Sequence, residues 1–235
     1  MVLTIPIEVI AWTSYTTVED DFINYLDYVP WTHDHRKVWS PKLANLLLNT
    51  GSLIDSIFRS YLNRPTVDLG EDIDKIRGKR NPNINDFQKV YENVYSFSNR
   101  EVYLLSTEEK LTPWSNWQKQ NSPPDWWTAY NHVKHNRFEN KTEANLENTL
   151  YALSGLFLVC VLLKEFRSIL VDIGIIKGNH LAKGYLRSLL KKDERIDEAE
   201  PIIAKSKIFG YVFRTEGKWE LQGFGILSRD NIYNL

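Results

Sequence analysis

From Leu150 to Leu163 the chain carries no charged side chain, and the run from Ala152 to Cys160 is apolar on every face of a helix. A helix without a polar side must be surrounded by neighbours, so this segment predicts the buried centre of the molecule. The uncharged stretch falls short of the roughly 20 apolar residues that span a bilayer, which favours a core helix over a membrane span. Thr142 with Glu143 reads as its start, and the pattern continues to about Leu170. Ala152, Gly155 and Val159 form a line of small residues along which another helix is expected to approach closely.

The other elements follow from their punctuation. Leu3 to Trp12 alternates loosely, is rich in Ile and Val and contains Pro6, so it reads as an edge strand or extended arm. Thr17 and the acids after it read as a capped helix start running to Tyr28. Ser40-Pro41 combines a capping hydroxyl with Pro at the first helical position, and apolar residues at helical spacing reach Leu62 across the interruption Thr50-Gly51. Thr66 to Asn83 reads as a polar loop, Asn85 to Tyr95 as a shorter helix and Glu101 to Leu105 as a brief strand. Ser122-Pro-Pro-Asp125 announces a helix from Asp125 to Arg137, and a polar helix is expected from about Asn179 to Lys192. Ile208–Arg214 and Lys218–Leu227, flanking Glu216-Gly217, predict a β-hairpin.

The resulting fold is mainly α: a helical bundle around one long buried helix, with a small C-terminal β-hairpin. Residues 1–174 are assigned to the helical domain. Residues 175–235, with little apolar surface in common with the bundle, read as a C-terminal helix plus β-hairpin, either a separate small subdomain or part of the same unit.

Twenty-nine basic residues against thirty acidic ones leave no global field toward nucleic acid or an acidic membrane. With Cys160 the only cysteine, an intrachain disulfide and a cysteine metal cage are both excluded. The N-terminus has no basic region and reaches Glu8 early, unlike a signal peptide. A cytoplasmic protein with no membrane partner is expected. No Walker loop, dinucleotide-binding glycine pattern, nucleophile elbow or His-Glu-x-x-His is present, and no cofactor is called for.

Chemistry concentrates between Trp126 and Phe138. On a helix Asn131 and His135 are neighbours four apart, His132 and His135 neighbours three apart, with Lys134 beside them. Imidazole moves protons near neutral pH, an amide donates hydrogen bonds and an ammonium supplies fixed charge. Trp126, Trp127 and Tyr130, with His132 and Arg137, are candidates for contact with RNA or a protein partner. The bland alternative packs the Trp and Tyr rings inward and leaves His, Lys and Arg solvated. Trp114 and Trp117 join Trp126 and Trp127 in one aromatic-rich stretch, to be read as core or as surface.

The string Asn131-His-Val-Lys-His135, in a polar helix just before a strongly apolar one and after a helix such as Leu43–Leu62, resembles Asn-x-x-Lys-His sequences of the HEPN superfamily in prokaryotic defence proteins. The resemblance covers roughly Pro41 to Leu170. It implies a homodimer and a metal-independent ribonuclease, with His135, Asn131 and Lys134 as its catalytic residues. Active members place an Arg a turn or more before the His, whereas position 130 here is Tyr. The resemblance therefore implies either a degenerate, RNA-binding relative or an arginine donated from elsewhere, with Arg36, Arg59 and Arg64 as candidates. Arg137, two positions on, would point away from His135 on a continuing helix.

Three further readings stand beside this one. A non-catalytic interaction module would dock a partner through Trp126, Trp127 and Tyr130. A metal-dependent hydrolase would need His33, Asp34 and His35 to meet His132 and His135. Lys177, His180, Lys183, Tyr185, Arg187, Lys191 and Lys192 offer phosphate contacts on a helical face, diluted by the acids from Asp193 onward.

Overall fold

Ser40 opens the helix α2 (Pro41–Leu62) as its sequence demands: the hydroxyl accepts a hydrogen bond from Leu43 N at 3.1 Å, and Pro41 occupies the first turn. The computed structural model that contains it describes residues 5–65, 67, 69–70, 73–178, 181–192 and 201–213. The fold is mainly α, with a small antiparallel β element toward the C-terminus. It divides into two compact units, Met1–Glu101 with Leu111–Val159, and Val102–Lys110 with Cys160–Leu235. Each unit is made from two lengths of chain.

The first unit begins with α1 (Ile7–Leu26), where an edge strand followed by a capped start at Thr17 was expected. Pro6 stands at the N-cap, a position that needs no donor, and the buried stripe of Ala11, Trp12, Tyr15, Val18 and Phe22 has helical spacing. Ile7, Val9 and Ile10, which suggested a strand, remain partly exposed. The expected loop after Arg64 contains a short helix, α3 (Ile73–Arg77), which buries Ile73 and Ile76. The next helix, α4 (Ile84–Tyr95), starts with a capping box between Asn83 and Asp86.

Tryptophans 114, 117, 126 and 127 are core. Trp114 packs against Trp117 with centroids 4.4 Å apart and edge-on to Trp126 at 5.0 Å, and Phe58, Phe87, Tyr91 and Phe97 extend the cluster. Each indole of the Trp114–Trp126 pair finds an acceptor: Trp114 Nε1 donates to Gly155 O at 3.2 Å and Trp126 Nε1 to Pro113 O at 2.7 Å. The small-residue line is thus filled by two indoles, since a Cβ on Gly155 would lie 3.2 Å from Trp126 Cζ2 and 3.3 Å from Trp114 Nε1.

The long helix expected from Thr142 to Leu170 is two helices, α6 (Leu146–Leu162) and α7 (Lys164–Asp172), turning by 90° at Leu163. The cap is Asn145, whose Oδ1 accepts from Asn148 N at 2.9 Å, while Thr142 and Glu143 lie in a preceding 3₁₀ turn. The orphan N–H groups of Leu146 and Glu147 donate to the carbonyls of Val38 and Arg36. The interruption at Leu163 involves no Pro or Gly. Arg167, buried in the second unit, donates to Leu162 O at 2.7 Å and to Leu190 O at 2.9 Å, satisfying carbonyls at two helix ends.

In the second unit a five-stranded sheet forms from β1 (Val102–Leu104), β2 (Glu109–Leu111), β3 (Ile176–Gly178), β4 (Ile202–Lys205) and β5 (Phe209–Phe213), in the order β2-β1-β5-β4-β3. The strand β5 pairs antiparallel with β4, Ala204 facing Tyr211, and with β1, Tyr103 facing Gly210. The anticipated hairpin partner beyond Glu216-Gly217 lies outside the described residues, and β4 was not foreseen. The helix α8 (Lys183–Lys192) buries Leu186 and Leu190. Cys160, in α6, is fully buried, and burial pushes its thiol far above the usual range, as expected of inert core sulfur. Among the described residues no single helix is long and apolar enough to cross a membrane.

Candidate functional site

The polar cluster lies on the helix α5 (Asp125–His135) in the first unit. Asp125 begins it beside the N-terminal dipole, and Trp126, Trp127, Ala129, Tyr130 and Val133 form its buried side. Trp126, Trp127 and Tyr130 are only 2%, 5% and 2% exposed, so these three rings present no surface to RNA or to a docking protein. They anchor the helix. Tyr130 is fixed by a backbone approach at Gly51, where a Cβ would come within 2.5 Å of the ring.

The opposite face holds the candidates. Asn131 is half-buried and His135 exposed, and neither makes a hydrogen bond or ion pair among the described residues. Lys134 is exposed, its Nζ donating to Tyr130 Oη at 3.2 Å and lying 5.3 Å from the centre of that ring. His132 is engaged differently: its Nδ1 sits 2.9 Å from both carboxylate oxygens of Glu143. Three cationic or protonatable side chains in the last turn suit the partial negative charge of a helix C-terminus.

The helix stops at His135, two residues earlier than expected, because Asn136 leaves the helical conformation. Asn136 N and the Asn140 side chain both donate to His132 O, closing the turn. Arg137 is therefore not carried round a continuing helix; its guanidinium donates to Asn45 Oδ1 at 2.9 Å, in the second turn of α2. The same turn leaves Phe138 89% exposed, and Trp39 is 40% exposed with Lys141 Nζ 5.1 Å from its ring centre. Sequence reasoning missed Trp39, Glu143 and Lys141. A Trp just before the α2 cap was the one available signal.

The proposed arginine donors are committed elsewhere. Arg36 lies 3.7 Å from Glu147 and over the Trp31 ring, Arg59 pairs with Asp55 at 2.7 Å, and Arg64 pairs with Glu8 at 2.5 Å. His33 and Asp34 are nearly fully exposed, and His35 Nδ1 is 2.9 Å from Pro30 O. Among the described residues no three His, Cys, Asp or Glu side chains are grouped to hold a metal, so the two histidine pairs do not form one site. Of the basic row in the second unit, Lys183 donates to Asp172 O and Arg187 pairs with the Asp172 carboxylate at 3.2 Å, while Tyr185 is exposed. His180 and the Lys192 side chain lie outside the described residues.

No family model matches the chain, and no curated protein or solved structure matches it either.

Proposed function

We propose that the chain is an RNA-directed, HEPN-like protein acting through the C-terminal end of α5, in a defence or stress context. One observation carries this reading: His135, exposed and without a hydrogen bond or ion pair among the described residues, shares a helical face with Asn131 and follows Lys134 in the last turn of α5. Elsewhere in the first unit the exposed Phe138 and Trp39 offer rings on which unpaired bases stack, and Arg137 and Lys141 offer charge to a phosphate backbone.

In the catalytic form of this proposal the ribose 2′-oxygen attacks the adjacent phosphorus and the 5′-oxygen leaves. His135 moves the proton, and Lys134 stabilises the charge that develops on phosphate. The products are a 2′,3′-cyclic phosphate and a free 5′-hydroxyl, and the step needs no metal. Two copies of the chain would present two such helices to one RNA.

The engagement of Arg36, Arg59 and Arg64 with carboxylates favours a second reading, a non-catalytic module that holds RNA or a protein through Phe138 and Trp39. The test is incubation with mixed single-stranded and structured RNA in EDTA, comparing wild type with His135→Ala at matched purity. Cleavage that yields cyclic phosphate ends and disappears in the variant supports the ribonuclease. No cleavage by wild type overturns it and leaves the binding module.

A further inference from the structure

A groove of about 600 Å³ opens in the first unit among α3, α4 and the 3₁₀ turn Ser115–Gln118. That volume lies in the range of small-molecule sites. We propose that this groove binds a small phosphorylated ligand, with Lys75, Lys79 and Lys89 around its oxyanion and the Trp117 indole N–H as a fixed hydrogen-bond donor. It shares no residue with the α5 site, so the two proposals stand or fall separately.

Two independent observations meet here. The first is charge. Three lysines line the groove against two carboxylates, Asp86 and Glu92, and both carboxylates are occupied by the protein. Asp86 receives Lys79 Nζ and the Asn83 N–H as half of the α4 capping box. Glu92 accepts from the Ser98 N–H at 3.0 Å and from its hydroxyl at 2.5 Å. Lys89 Nζ, on the exposed side of α4, makes no hydrogen bond or ion pair among the described residues.

The second observation is an orphan donor. Trp117 lines the groove, is 2% exposed, and its buried Nε1 has no acceptor among the described residues. Buried indole N–H groups are ordinarily paired, as those of Trp114 and Trp126 are. Packing against Trp114, Phe97 and Phe58 at centroid distances of 4.4, 5.9 and 6.2 Å prevents the ring from turning toward another partner. Gln88 ties down the backbone beneath it, its amide donating to Trp117 O and Lys119 O at 2.8 Å each. A phosphate oxygen supplies the missing acceptor and the counter-charge together.

The experiment is calorimetric titration of the full chain with inorganic phosphate, pyrophosphate and ATP at low ionic strength. At least one probe is expected to bind with one-to-one stoichiometry, and the smallest that binds well sets the size of the ligand. Lys89→Ala, at an exposed position, should weaken binding about tenfold with an unchanged melting temperature. Trp117→Phe should weaken it about tenfold; because the smaller ring leaves buried space and lowers the melting temperature of the free variant, binding is read by titration below that temperature. Failure of all three probes at millimolar concentration overturns the proposal. So does binding that neither substitution alters.

Discussion

Gly51 and Tyr130 touch where no other residue type fits: a Cβ on residue 51 would lie 2.5 Å from Cδ2 and 2.6 Å from Cγ of the tyrosine ring. The contact sets how closely α2 and α5 approach, and it explains the Thr50-Gly51 interruption of an otherwise apolar pattern. Tyr130 in turn receives Lys134 Nζ, so the glycine sits two contacts from the candidate site. Gly51→Ala is expected to destabilise by about 1–3 kcal/mol through overpacking. Combining it with Tyr130→Leu should recover part of that loss. Strictly additive effects in denaturant unfolding would mean the two side chains do not meet.

Gly155→Leu should likewise cost about 1–3 kcal/mol, because the indoles of Trp114 and Trp126 already fill the space beside α6. Replacing Trp114 by Ala empties that space instead and should cost about 3–5 kcal/mol. Chemical denaturation of the two variants separates overpacking from cavity formation by the size of the loss.

Arg167 holds the break at Leu163. Arg167→Met keeps most of the side-chain volume but leaves Leu162 O and Leu190 O without their donor, an expected loss of about 2–4 kcal/mol. Arg167→Lys should restore only part of it, since one ammonium is poorly shaped to reach two carbonyls. Equal stability of Met and Lys variants would show that the charge, not the fork, matters least.

Glu8 and Asp86 predict an acid-sensitive fold. Burial would raise the Glu8 carboxyl, but hydrogen bonds from Tyr61 and Arg64 outweigh it and hold the group below the usual glutamate range. For Asp86, burial is outweighed in the same way by Lys79 and the Asn83 N–H. A carboxyl depressed in the folded state stabilises fully above its unfolded value, about 4 for these groups, and the benefit disappears as pH falls through the folded value. Glu8→Gln should therefore lower the melting temperature at pH 7 and shrink the difference from wild type near pH 3. A constant difference across that range would contradict the linkage.

Local chemistry was legible in the sequence wherever it was self-contained. Ser40-Pro41 carries its own cap and its own first turn, and Pro124-Asp125 likewise starts α5 where the sequence indicated. The apolar run after Asn145 was recognisable as core because nothing polar could face water. The errors arose where distant residues decide. Leu163 looks like any other leucine, and only a guanidinium four residues on, reaching to α8, shows why the helix ends there. Ile7, Val9 and Ile10 mimic a strand, whereas the stripe that fixes α1 starts at Ala11. For the site, helical spacing correctly put Asn131 and His135 on one face. It could not say that the neighbouring tryptophans turn inward, or that Phe138 and Trp39 turn outward.

The strand β1 pairs with β5, more than a hundred residues later in the chain, across the whole of α5 and α6. On the ribosome, Val102–Leu104 emerges long before Phe209 exists, and its edge must wait unpaired while the first unit's remaining helices are made. No single cut liberates either unit whole: trimming the chain after Val159 strands β1, and starting it at Cys160 deprives β5 of a neighbour. Phe209–Phe213 thus join a sheet that Val102–Leu104 began.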